Sequence, residues 1–186
     1  MTKDTRSVQK ILLGGSIGVI PTDTIYGIVG LALNKRTVER IYKVRKRNLR
    51  KPFIILIGSM DDLRLFSINP GQELQKMLKK VWPGKISIIL PCPLKKFFYL
   101  HRGKNSLAFR LPDNKKLLYL LKKTGPLVAP SANPEGFLAA ETIGRAKKYF
   151  GNTVDFYTDG GKISSAPSKI IWIKKGRVDV LREGTG

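Results

Sequence analysis

The sequence predicts a single α/β domain spanning residues 1–186, and three observations predict it. The chain of 186 residues has room for one apolar core. Short apolar segments of strand length alternate with amphipathic stretches of helical period. No repeat, low-complexity linker or change of composition marks a boundary.

In chain order, residues 7–14 read as a short helix closed by Gly14 and Gly15, and GVIPT as a buried strand running out into the loop PTDTIYG (21–27). Val38, Ile41, Tyr42 and Val44 recur at helical spacing, so 36–47 predicts an amphipathic helix that enters a cationic loop. FIILIG (53–58) is an apolar run of strand length, and Asn69-Pro70-Gly71 separates helical patterns at 60–66 and 72–81. After the turn at WPG (82–84), KISIILP, SLAFRLP and PLVAP supply three further strands, with a basic loop at 94–105 and a helix at 114–123 between them. A helix at 141–149, a strand at 153–157, the Asp159-Gly160-Gly161 turn and the strands KIIWIK and VDVLR complete the pattern.

Composition narrows the chemistry. Cys92 is the lone cysteine and His101 the lone histidine, so neither an intramolecular disulfide nor a Cys/His metal cluster is expected. Lysine and arginine total 35 against 13 acidic residues, a formal charge of +22, which points to a polyanionic partner or to a heavily solvated basic surface. No apolar run approaches the roughly 20 residues of a membrane-spanning helix. MTKDTRSVQK lacks the apolar stretch of a secretory signal, so a cytoplasmic location is expected. Walker, GxGxxG, HExxH and Ser-His-Asp patterns are all missing from the sequence.

Four weaker constellations remain. Lys43, Arg45, Lys46, Arg47, Arg50 and Lys51 form the densest cationic cluster; if the segment is extended, Arg45 and Arg47 face one side and can clasp phosphate oxygens. The same residues also suit a solvated helix end. PSANPEG (130–136) places Ser131 and Asn133 two residues apart at a strand end, either as ligand donors or as ordinary turn residues. Thr22, Thr24 and Tyr26 cluster behind the first strand, where their hydroxyls can orient a small polar substrate. Arg110 lies inside the apolar strand LAFRLP and needs exposure or an anion, for which a ligand carboxylate is the most economical choice. Arg182, at the end of the last strand, raises the same question.

Taken together, PTDTIYG, RKRNLRKP, WPGKISIIL, SLAFRLP, PLVAPSANPEG, DGG, APSKIIWI and LREG resemble, in order and spacing, the YrdC family of threonylcarbamoyl-AMP synthases in its single-domain form. The resemblance implies a YrdC/RibB-like open, twisted, mixed sheet with flanking helices around a positively charged cavity. It also implies a reaction in which bicarbonate and L-threonine form a carbamate that attacks the α-phosphate of ATP, releasing pyrophosphate. A transferase complex then passes the threonylcarbamoyl group to tRNA. By position, Thr24, Arg110, the Ala129 backbone and Ser168 match threonine-binding places. Arg47, Lys51, Ser106, Ser131, Asn133 and Arg182 match nucleotide-binding places, with Arg45 and Arg47 as the catalytic cations. Mg²⁺ is expected to arrive with ATP, and no metal site of the protein's own is implied.

The sequence departs from the family pattern at Arg45, where lysine is usual, and at Lys85, Asn114, Glu135 and Lys169. A different class of function, a YrdC- or YciO-like protein that binds structured RNA without synthase activity, draws on the same basic charge.

Overall fold

Helix α1 (Thr5–Leu13) leads into an antiparallel hairpin of β1 (Gly18–Pro21) and β2 (Tyr26–Leu31), and helix α2 (Lys35–Val44) follows. This computed structural model describes residues 5–174 and 177–184; the first four residues of MTKDTRSVQK lie outside them. The chain continues through β3 (Ile54–Leu56), α3 (Gln72–Val81), β4 (Ile86–Pro91), α4 (Phe98–His101), β5 (Ser106–Arg110) and α5 (Lys115–Thr124). It ends with β6 (Leu127–Val128), α6 (Ile143–Phe150), β7 (Phe156–Tyr157), β8 (Lys169–Lys174) and β9 (Arg177–Arg182).

The described strands form one open mixed sheet in the order β7-β1-β2-β6-β3-β5-β4-β8-β9. Parallel pairs join β1 to β7, β3 to β5 and β4 to β8, and the remaining neighbours are antiparallel. Across β1, β2 and β3 both faces are covered, whereas Val178, Val180 and Leu181 of β9 are exposed. Ile20, Val29 and Leu56 pack with Val8 and Leu12 of α1 and with Leu117, Leu120 and Leu121 of α5. Their neighbours Val19, Ile28 and Ile55 point the other way, into a larger core with Val38, Ile41 and Tyr42 of α2. Such alternation is the two-residue period of strands, doubled because both sides are buried.

Side-chain caps fix the helix starts. Asn34, Asn114 and Thr142 each accept a hydrogen bond from the backbone N–H three residues on, so Asn114 serves as the cap of α5. Among the described residues, no helix is long and apolar enough to cross a membrane.

Three expectations change. β2 was hidden within what reads as a loop, because Gly27 and Gly30 dilute its strand character. Gly30 is required there: a Cβ would stand 2.3 Å from Cγ2 of Thr37, where α2 crosses the strand. The 60–66 pattern forms a 3-10 helix, Met60–Phe66, rather than an α-helix. The predicted strand at 153–157 is reduced to Phe156–Tyr157.

Candidate active site

The cationic loop is not extended. Helix α2 ends with the Lys46 N–H bonded to the Lys43 carbonyl, the Arg47 N–H bonded to the Tyr42 carbonyl, and Lys46 in the left-handed region at φ 49°. This Schellman ending turns the chain sharply and still brings Arg45 and Arg47 to one cavity. Two later backbone carbonyls orient the Arg47 guanidinium, Nε donating to Lys51 O (3.2 Å) and Nη2 to Pro52 O (3.5 Å). It also lies 5.5 Å from the ring centre of Phe53, which stacks on Tyr42.

Arg45 is 2% exposed and reaches across to the PSAN loop. Its Nε donates to the Asn133 carbonyl (2.8 Å), and Nη2 lies within bonding distance of Ser131 Oγ (3.2 Å) and Asn133 Oδ1 (3.3 Å). All these acceptors are neutral, and Arg45 Nη1 is buried with no hydrogen-bond partner. Asn133 is committed within the fold: its amide nitrogen donates to the carbonyls of Pro134 and Phe137. The expected ligand donor is thus a staple that shapes the loop and holds Arg45.

Arg110, at the end of β5, has a protein partner. Its Nη1 donates to Asp23 Oδ1 at 2.7 Å, and both side chains are 4% exposed. Of the ways open to a charge in such a strand, pairing within the protein is the one seen: the counter-charge is Asp23, which sits between the two threonines of PTDT, and not the ligand carboxylate expected as the most economical partner. Arg110 Nε nevertheless remains buried with no hydrogen-bond partner, and the residue lines the cavity.

On the opposite wall, Arg182 donates from Nε and Nη2 to the Ser168 carbonyl (3.1 and 2.7 Å). Ser168 Oγ lies 2.9 Å from Ser87 Oγ. Thr22 and Thr24 hydroxyls lie 3.2 Å apart, and Thr22 Oγ1 donates to the Ile25 carbonyl. Tyr26 does not join them. Its hydroxyl donates to the Gly161 carbonyl (2.7 Å) and accepts from the Gly160 N–H (2.8 Å), so it anchors the 159–161 turn.

The result is a cavity of about 360 Å³ lined by Arg45, Arg47, Arg110 and Arg182, with Thr24, Ala129, Ser131, Asn133 and Ser168 among its other walls. Among the described residues, no carboxylate lines it. Burial acts on all four cations, and repulsion from a neighbouring arginine acts on Arg45 and Arg182. Burial first, then the nearby Arg47 charge, pushes Arg45 down to about 10. Burial likewise lowers Arg47 and Arg110, and lowers Arg182 with further repulsion from Arg110 and Arg47. All four remain cationic at neutral pH, and an anion is what such a cluster lacks.

Two expected residues do not line the cavity. Lys51 turns its ammonium onto Glu135. Ser106 begins β5, at the end of the strand away from Arg110, and its hydroxyl donates to the Lys104 carbonyl. Sequence reasoning missed the Phe137 and Leu138 lip, residues 63% and 73% exposed that also line the cavity. Two large apolar residues after a Pro-Glu-Gly turn were the available signal. Among the described residues, no group of three or more His, Cys, Asp or Glu is placed to hold a metal ion.

Comparison with known proteins decides the family. The family model Sua5_yciO_yrdC, described as telomere recombination, matches residues 10–184. The chain belongs to the Sua5/YciO/YrdC family. The threonylcarbamoyl-AMP synthase of Marinobacter nauticus is 32% identical over 173 residues, covering 91% of this chain and 90% of that protein. The crystal structure of Pyrococcus abyssi Sua5 complexed with L-threonine superposes with a TM-score of 0.89 at 26% identity over 97% of this chain. This chain spans 54% of that longer protein. Escherichia coli YciO, with a TM-score of 0.85 at 22% identity, shares the fold over the whole of this chain.

Proposed function

We propose that the chain is a threonylcarbamoyl-AMP synthase, converting ATP, bicarbonate and L-threonine into threonylcarbamoyl-AMP and pyrophosphate. The observation that carries this reading is the convergence of four guanidinium groups on one cavity beside Thr24, Ser131 and Ser168, with no lining carboxylate among the described residues. The relative from Marinobacter nauticus carries this activity in its name, and the Pyrococcus abyssi structure holds L-threonine.

The chemistry suits such a site. The threonine amine and bicarbonate combine, with loss of water, into a carbamate; its oxygen attacks the α-phosphorus as the bond to pyrophosphate breaks. No protein nucleophile is needed, only alignment and stabilisation of charge on the phosphates. Arg45 and Arg47 serve as the catalytic cations, with Arg45 Nη1 a buried donor that a phosphate oxygen satisfies. Arg182 and Ser131 complete the nucleotide contacts, and Lys51 joins from the rim. Arg110, steadied by Asp23, meets the threonine carboxylate through its free Nε, near Thr24, the Ala129 backbone and Ser168. Mg²⁺ enters as part of the MgATP substrate.

The product serves tRNA modification in the cytoplasm through a threonylcarbamoyl-transferase complex. Incubation with MgATP, bicarbonate and threonine is expected to release pyrophosphate only when threonine is present. Release without threonine, or none, rejects the reading. The +22 charge favours a second reading, direct binding of tRNA or another structured RNA. Its mark is an affinity that falls steeply with salt, unaccompanied by thermal stabilisation from ATP and threonine.

A further inference from the structure

Glu135 stands where three bonds join the cationic loop to the PSAN loop. Its Oε1 accepts from the Lys51 ammonium, its Oε2 accepts from the Asn48 N–H, and its own N–H donates to the Arg45 carbonyl at 2.9 Å. The Lys51 side chain is 57% exposed and Glu135 only 25%, so the pair lies at the rim with the carboxylate inward. The Lys51 carbonyl holds Nε of Arg47, and Arg47 and Pro52 on either side of this bond line the cavity. Only the Lys51 ammonium is drawn elsewhere.

A carboxylate offers an ammonium the same kind of contact that a phosphate oxygen does: a charged, hydrogen-bonded acceptor. The two are therefore alternatives for one cation. We propose that Glu135 is a positioning residue that competes with the phosphates of the nucleotide for Lys51, and so sets the affinity for ATP. This rests on the nucleotide site proposed above. The Lys51–Glu135 contact opens as a phosphate takes Lys51, while the Glu135 N–H bond to Arg45 keeps the two loops joined. Exposed ion pairs are weak, so the competition amounts to a few-fold in affinity, up to about fivefold. It is thus a setting of affinity rather than a block.

The test is calorimetric titration of MgATP and, separately, of inorganic tripolyphosphate, at fixed physiological salt. Glu135→Gln removes the charge but keeps an acceptor for the Asn48 N–H, and Glu135→Ser removes both. Both variants are expected to bind ATP and tripolyphosphate about twofold to fivefold more tightly than the parent. In a Lys51→Met background the gain from Glu135→Gln is expected to vanish, since the competition then has no object. Weaker or unchanged binding by both Glu135 variants overturns the proposal, because it makes Glu135 a brace or a bystander. A gain of equal size in the Lys51→Met background also overturns it, by reducing Glu135 to a general source of negative potential. Failure of the parent protein to bind ATP or tripolyphosphate at all removes the nucleotide site itself. Binding that ignores Glu135 removes only the competition.

Discussion

Two buried arginines face the same cavity from opposite kinds of support. Arg110 is held by a carboxylate, Asp23, as buried as itself. Arg45 is held only by neutral acceptors: a carbonyl, an amide oxygen and a hydroxyl. The first charge is largely cancelled within the protein, so Arg110 contributes direction more than potential. The second is not, so Arg45 keeps its full charge for a ligand and costs the fold its desolvation. Arg47 and Arg182 resemble Arg45, for both rest on backbone carbonyls. The cavity thus combines one arginine bonded to a carboxylate with three bonded only to neutral acceptors, two of which also feel the more distant Glu135 charge, and this suits a zwitterionic amino acid beside a polyanion.

Breaking the neutralised pair should have the largest effect. Asp23→Ala leaves Arg110 buried and unpaired, and is expected to lose about 3–5 kcal/mol of stability in urea unfolding. The double replacement Asp23→Leu/Arg110→Met should recover most of that loss while abolishing threonine-dependent pyrophosphate release. A loss below about 1 kcal/mol for Asp23→Ala would mean that Arg110 does not need its partner. Next comes Arg47→Ala, which should leave the melting temperature nearly unchanged but cost about 2–4 kcal/mol in kcat/KM for ATP. Arg47 is only partly buried where Arg45 is fully buried, so its loss separates activity from stability, and steady-state pyrophosphate release measures the first. Arg45→Lys is expected to be milder. It keeps the charge but gives up the fork that spans Ser131 and Asn133, costing about 1–2 kcal/mol of stability. A surface pair sets the floor: Lys76→Ala, which breaks the contact with Glu73, should change stability by less than about 0.5 kcal/mol.

Much of this architecture was legible beforehand, for identifiable reasons. Runs such as FIILIG and KIIWIK had the length and apolarity of buried strands, and Asn114 and Thr142 stood at the right places to cap helices. The cationic loop and the PSAN loop each showed an unusual density of one donor type. β2 was not legible, because the glycines that let α2 pack on it also erase its strand signature. Nor was the partner of Arg110, since Asp23 lies 87 residues earlier and only the sheet brings them together. Asn133 was readable as important but not in its role: its bonds to Arg45, Pro134 and Phe137 follow from a loop conformation that composition does not encode. Lys51 and Glu135 were each noticed, the one as a cation and the other as an unusual residue. Their pairing emerges only when the two loops meet.

The Tyr26 phenol has a consequence for the wall opposite the arginine turn. Residues 159–168 bring Ser165, Pro167 and Ser168 to the cavity. That stretch is sewn down by Tyr26 at Gly160 and Gly161, by Glu141 at Ile163 and Ser164, and by Arg182 at Ser168. Gly160, Gly161, Ser164 and Ser165 are glycine or serine, with no apolar side chain to bury. Ile163 packs against the larger core, so the wall is held by this one apolar anchor together with the polar bonds, and local opening costs both.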